Sequence, residues 1–239
     1  ADADQWMQEF GVGIEQVEQG EVIRHAGEVP AEEVAAALEW YKGNLAEIHY
    51  DETRLTEEML KRQLACYIAT KRVCAERHFD FCAIEGQPET RDKWTALDLS
   101  AALLNDPYDH EGAKEPVVCA GEGDGDGALT MQMFKLLGKK PVLCSEIRHW
   151  NAELGIFDLC SPGGHPTYFA GASPDPRQNL RHVELCAPGS QAGAGGPTVH
   201  HLAATGRVTL SNGRLTLGIE TKGGLNPNRL EDSVSPRMY

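Results

Sequence analysis

The sequence predicts an α/β protein, a parallel sheet with flanking helices followed by a β-rich C-terminal part, and three observations carry that expectation. Short apolar runs bounded by polar loops, FDFCAI (79–84), PVVCA (116–120) and PVLCSE (141–146), read as buried parallel strands. Longer stretches with helical spacing separate them, so strand and helix signals alternate through the first two thirds of the chain. Beyond about residue 155 no long helical pattern continues, and Gly, Pro, Ser and Thr become frequent. The expected organisation is a partial Rossmann-like α/β domain over residues 1–138 and the start of a β-rich domain over 139–239.

Each element has a local reason. DADQWMQEF is helix-like, and Ile14 to Val17 and Glu21 to Ile23 read as short β-like pieces around Gly20. Pro30 sits where a first helical turn tolerates it, ahead of the Ala/Glu-rich AEEVAAALEWYKGNL. Thr56, with Glu57 and Glu58 behind it, opens a second helix whose apolar positions Met59, Leu60, Leu64, Tyr67, Ile68 and Val73 approximate one face. Asp92 can cap the helix KWTALDLSAALLN, and Pro107 ends it. Strand 116–120, loop GEGDGDG (121–127), helix ALTMQMFKLLG (128–138) and strand 141–146 then compose a βαβ unit with a right-handed crossover. IFDLC (156–160) is a further strand, and GRVTLSNGRLTLGIE is a hairpin around Asn212-Gly213. Residues 187–196 read as a flexible loop, and no internal repeat is visible.

Composition narrows the function classes. At 239 residues, with 41% hydrophobic and 24% charged residues, the chain can bury a core without staples. A formal charge of −14 argues against nucleic acid or an anionic membrane surface as the partner. Seven cysteines, an odd number without CxxC spacing, suit a reduced, cytoplasmic protein; Cys82, Cys119 and Cys144 lie in apolar runs where cysteine packs as a small hydrophobe. No run approaches the roughly 20 apolar residues of a membrane span. The chain begins at Ala1 and stops at Tyr239 soon after a Gly/Asn-rich run, as a piece of a longer polypeptide would.

Ligands of open parallel sheets bind beyond the carboxyl ends of the strands. The three expected strands end there in Glu85 to Glu89, in Gly121-Glu122-Gly123-Asp124, and in Glu146 followed by Arg148 and His149. Carboxylates facing one another need a compensating positive charge, and hard oxygen donors suit a divalent cation such as magnesium or manganese. The loop GEGDGDG lacks the Gly-Lys-Ser/Thr of a phosphate loop, and it is only half of a calcium loop, with a helix following at once. The competing reading is a solvated acidic turn that favours the next helix's N-terminus. His149 can orient a substrate hydroxyl or pair with a carboxylate. His165, in SPGGHP, can supply a nitrogen to a carboxylate metal site, although loop histidines are more often surface residues. His200-His201 is a weaker candidate, and His25, His49, His78, His110 and His182 carry no signal.

VVCAGEGDGDGALTMQMFKLLGKKPVLCSEIRHW resembles the metal-binding segment of L-fucose isomerases and their L-arabinose isomerase relatives. YIATKRVCAERHFDFCAIEGQPE and ALLNDPYD resemble the same family's middle domain, and the likeness covers roughly residues 55–170. The resemblance implies a fold of fucose isomerase middle-domain type and a metal-dependent aldose–ketose isomerase acting on a pentose or 6-deoxyhexose. It implies that Glu122 and Glu146 coordinate manganese, or another divalent cation, and also move protons. It implies sugar contacts from Gln87, with Arg148 and His149 beside it, a metal-ligand role for His165, and a homo-oligomer. Fucose isomerases commonly have Asp at the second acidic position and arabinose isomerases Glu, so Glu146 leaves the sugar open. The family has three domains, of which the first and part of the second have no counterpart here. The family's later C-terminal metal-binding histidine has no match either, so a fragment or a much-shortened relative is expected. The rival expectation is a non-catalytic sugar- or metal-binding fragment that needs the missing domains. A weaker third is a metal-dependent hydrolase or aldolase using the same acidic cluster.

Overall fold

The computed structural model describes residues 2–51, 53, 55–85, 94–95, 97–144, 146–151, 156–160, 165–186, 198–201, 204–211 and 216–223. They form a mixed α/β structure with short parallel strand pairs and flanking helices. Helix α1 (Ala3–Phe10) is capped by Asp2, whose carboxylate accepts from the N–H groups of Asp4 and Gln5, and it ends at Gly11 in the left-handed region. Residues 14–18 form no strand, and Gln19–Glu28 is helix α2 rather than a β-like piece. The reason is spacing: Val22, Ile23 and Ala26 lie on one helical face, with Ala26 in the main core. Gly20 falls in the first turn, where it disturbs little.

Helix α3 (Ala31–Asn44) follows Pro30 and buries Val34, Ala37, Leu38 and Tyr41, one face at helical spacing. Helix α4 (Glu57–Glu76) starts where Thr56 accepts from the Met59 N–H at 3.2 Å. Every residue from Gln63 to Thr70 is buried, so α4 is enclosed around its middle rather than along one stripe. Its polar groups are matched accordingly. The Gln63 side chain accepts from the Leu99 N–H at 3.0 Å, and the Ser100 hydroxyl donates to the Gln63 carbonyl at 2.9 Å.

That contact relocates the start of helix α5, which runs Asp98–Asn105 and not from residue 93. Its cap residue Leu97 has no side-chain acceptor, and Gln63 of α4 satisfies the orphan N–H from across the core. Asp92, the expected cap, lies outside the described residues.

Strand β1 (Glu47–Ile48) comes between α3 and α4, and β2 (Phe81–Ala83) follows α4. The hairpin β3 (Tyr108–Asp109)–β4 (Gly112–Ala113) leads to β5 (Val118–Ala120), which pairs parallel with β2, Cys82 opposite Cys119. Helix α6 (Gly125–Gly138) covers this pair through Ala128 and Met131, packed with Val118 and Ala120. The expected third parallel strand is absent at 141–144, where the chain is irregular while Val142 and Cys144 still pack on that small core. Instead β6 (Glu146–Asn151) pairs antiparallel with β7 (Ile156–Cys160). The far edge of β5 is already occupied. The Asn105 side chain accepts from the Cys119 N–H at 3.0 Å and donates to the Cys119 carbonyl at 2.7 Å, as a neighbouring strand would.

Residues 165–186 return to the helical core. A 3-10 turn over Thr167–Ala170 and short helix α7 (Pro176–Leu180) lead to β8 (Val183–Cys186), which is flanked by β1 in parallel and by β9 (Thr198–His201) in antiparallel. A buried chain of donors fixes the turn: Asn179 donates to the Tyr108 hydroxyl, Tyr108 to Thr167, and Thr167 to Asp106 at 2.6 Å. Asp106 also accepts from the backbone N–H groups of Thr167 and Tyr168. Strands β10 (Ala204–Ser211) and β11 (Thr216–Gly223) form the expected hairpin, with Ser211 opposite Thr216. Its turn and the loop 187–196 lie outside the described residues. Among the described residues, no helix is long and apolar enough to cross a membrane.

Two predictions follow from these buried carboxylates. Asp106→Ala leaves two backbone donors and a hydroxyl unmatched in the core and should cost roughly 2–5 kcal/mol. A urea midpoint equal to wild type would contradict that role. Burial alone would raise the Asp109 carboxyl, but Lys71, Tyr67 and the Glu111 N–H hold it below the ordinary aspartate value. Its contribution to stability is therefore complete above the unfolded value of about 4 and is lost as pH falls through the depressed native value. Asp109→Asn should flatten the acid limb of the stability–pH curve, as read by urea melts between about pH 2 and 5.

Candidate metal-binding crevice at the strand tips

The parallel pairing of β2 and β5 brings two of the expected strand tips together. The Ile84 N–H donates to the Ala120 carbonyl at 2.9 Å, and the Gly123 N–H returns to the Ile84 carbonyl at 3.1 Å. To make that return, Glu122 and Gly123 both adopt left-handed backbone, with φ of 55° and 64°. Glycine takes this conformation freely, whereas Glu122 is strained by about 1–2 kcal/mol. A Cβ placed on Gly123 would stand 3.4 Å from the Glu85 Cβ and 3.5 Å from its Oε2. Exposed Glu85 and the turn that carries exposed Glu122 therefore lie side by side beyond the carboxyl ends of β2 and β5.

The other acids of the loop have structural duties. Asp124 caps α6 by accepting from the Gly127 N–H at 2.8 Å. A Cβ on Gly127 would lie 2.2 Å from the Asp124 Oδ2, so this cap requires glycine there. Helix α6 consequently starts at Gly125, inside the expected loop. Asp126 accepts from the Trp6 indole N–H at 3.1 Å, while the Trp6 ring leans on Phe81 with centroids 6.1 Å apart. Helix α1 is thereby clipped beside the acidic loop. The reading of a solvated turn that favours a helix N-terminus holds for Asp124, and the spacing Asp-x-x-Gly ahead of an apolar helix is its sequence signal.

The remaining candidates are placed as follows. Glu146 opens β6, opposite Cys160 in an antiparallel pair, and Arg148 and His149 follow it in the same strand, with a bulge between Ile147 and His149. Glu146 is thus not the tip of a third parallel strand, because residues 141–144 do not pair in the β2–β5 sheet. The side chains of Glu146, Arg148 and His149, and all of Gln87, lie outside the described residues. His165 is half-buried and leads through buried Pro166 into the turn that Asp106 anchors. Glu85, expected among the converging strand tips but without a ligand role of its own, stands beside Gly123.

Among the described residues, two groups bring three metal-ligating atoms within 4.8 Å of one another: Glu33 with His110 and Glu111, and His49 with Glu184 and Cys186. Neither contains Glu122 or His165. Cysteines 74, 82 and 119 behave as small hydrophobes. The Cys82 thiol is held well above its ordinary value by its contact with Cys119 and by burial, and that of Cys74 is raised by its contact with Cys82 and by burial. No protein-family model matches the chain, and no curated protein matches it significantly.

Gly123→Ala tests the crevice geometry. The left-handed backbone should cost it about 1–2 kcal/mol, while the added methyl would only touch Glu85 at ordinary contact distance. A thermal melt unchanged from wild type would show that the turn is not built as described.

Proposed function

We propose that the chain carries the metal-binding acidic loop of an aldose–ketose isomerase of the fucose/arabinose isomerase type, acting on a pentose or 6-deoxyhexose. The observation that supports the reading most is the strained backbone of exposed Glu122, next in the chain to Gly123, which stands against Glu85 at the ends of two parallel strands. Strain kept on a non-glycine residue at a strand tip is characteristic of functional sites. The likeness of residues 117–150 to that family's metal segment adds the reaction class.

The donor chemistry of this crevice fits an oxygen-preferring divalent cation, manganese or magnesium. Glu122 and Glu146 are the proposed ligands, with His165 as a nitrogen donor, and Glu85 is near enough to the loop to join them. Once bound, the cation would act as a Lewis acid on the sugar oxygens O1 and O2. The protein's own work is then proton transfer. Glu122 takes the proton from C2 of the aldose and returns it to C1, and Glu146 serves as the paired acid for the oxygens. Gln87, Arg148 and His149 hold sugar hydroxyls. The proposed setting is a cytoplasmic homo-oligomer.

A second reading is a non-catalytic sugar- or metal-binding fragment that depends on further domains. It is favoured by one observation: residues 141–144 do not pair in the β2–β5 sheet, so the third parallel strand tip expected to carry Glu146 is not built beside that of β5.

Conversion of a pentose and deoxyhexose panel, after chelation and with manganese restored, decides between them. Isomerase action predicts metal-dependent conversion that falls by roughly 100-fold or more in Glu122→Gln. Full turnover in that variant would sink the assignment. A manganese-induced rise in melting temperature without conversion, lost in Glu122→Gln, would favour the fragment.

A further inference from the structure

Strand β1 is only two residues long, yet it holds a mixed cluster of metal-ligating groups against β8. Ladder bonds extend the pairing on both sides, from the Ala46 N–H to the Val183 carbonyl at 3.0 Å and from the His49 N–H to the Leu185 carbonyl at 2.9 Å. Strand alternation sends Ile48, Val183 and Leu185 toward the main core. It leaves Glu47, His49, Glu184 and Cys186 together on the opposite face.

On that face one ligand atom each from His49, Glu184 and Cys186 lies within 4.8 Å of the other two. The His49 Nε2 is 3.1 Å from the Glu184 carboxylate, and the Glu47 carboxylate stands 3.6 Å from the other ring nitrogen, Nδ1. A carboxylate behind the imidazole is the usual orienting partner of a metal-bound histidine. Metal bonds of about 2.0–2.3 Å to N, O and S would draw these atoms to about 3.5 Å apart, a contraction that side-chain rotation can supply.

The charge around the cluster points the same way. Among the described residues, the Glu184 carboxylate faces the His49 imidazole and pairs with no lysine or arginine. A cation bound there would balance the Glu184 and Glu47 carboxylates. The other three-residue group differs, because Arg72 already neutralises Glu33 and Lys71 neutralises Glu111.

We propose that His49, Glu184 and Cys186 form a zinc site that pins β1 to β8. Sulfur, nitrogen and oxygen donors together suit zinc better than manganese or magnesium, and three protein ligands leave the fourth tetrahedral position to water. The site does not depend on the isomerase reading, since Glu122 takes no part in it.

The test uses the full chain, stripped with a chelator and titrated with zinc against a chromophoric competitor. Cobalt substitution serves as the spectroscopic probe. The expected result is bound zinc, with a thiolate-to-cobalt charge-transfer band and a raised melting temperature. Affinity should fall roughly tenfold or more in Cys186→Ser and in His49→Gln. Cobalt bound to the wild type without a thiolate band would overturn the site whatever the variants' folding. Equal zinc affinity in Cys186→Ser and His49→Gln would overturn it too.

Discussion

Asn105 occupies the edge of β5 as a strand would, giving one hydrogen bond to Cys119 and taking one from it, and the position of the acidic crevice depends on that arrangement. A buried three-residue strand paired on one side only would leave the Cys119 backbone groups unmatched, at a cost of about 1–3 kcal/mol for each group. With the amide in place, β5 can end in the core against α5 and still offer its carboxyl end to solvent. The same amide also bonds the Ala101 carbonyl within α5, so the helix end and the strand are fixed as one unit. Immediately after it, Asp106 collects the donors of the 165–180 segment, which carries the chain from the small sheet toward β8. Polar side chains at consecutive positions thus join the two packing centres of the molecule.

The acidic loop shows how one short segment commits most of its charges to folding. Asp124 and Asp126 are consumed by a helix cap and by the Trp6 indole. Glu122 is left at the rim by a left-handed turn that only Gly123 makes without strain. A negative residue in the first turn of α6 is also favoured by the helix dipole, so the loop's acidity is partly explained before any ligand is considered. The charge at Glu122, next in the chain to the Gly123 that faces Glu85, is the part with no such duty.

Much of this was legible along the chain. Helices α3 and α4 were readable from Pro30, Thr56 and the burial period, because caps and amphipathic spacing act within a few residues. The β10–β11 hairpin was readable from Asn212-Gly213 and the flanking alternation, again a local signal. The misreadings share a cause. Residues 19–28 contain β-branched residues in a helix stabilised by packing on α4. PVLC at 141–144 has strand composition but no place in the β2–β5 sheet. Helix α5 begins where Gln63 can cap it, 35 residues upstream of Asp98 in sequence (98 − 63) and adjacent in space.

The sequence by itself determined the alternation of helix and strand, the acidic tip at Glu122, and the chemistry that such a tip can perform, since residue type and short-range spacing carry those properties. Only the tertiary structure decided that Glu85 stands against Gly123 beside that tip, and that His49 meets Glu184 and Cys186 across a two-residue strand. Those pairings join residues from 38 (123 − 85) to 137 (186 − 49) positions apart. At the long range, no local preference encodes which partner arrives; the competition for buried hydrogen bonds and core volume does.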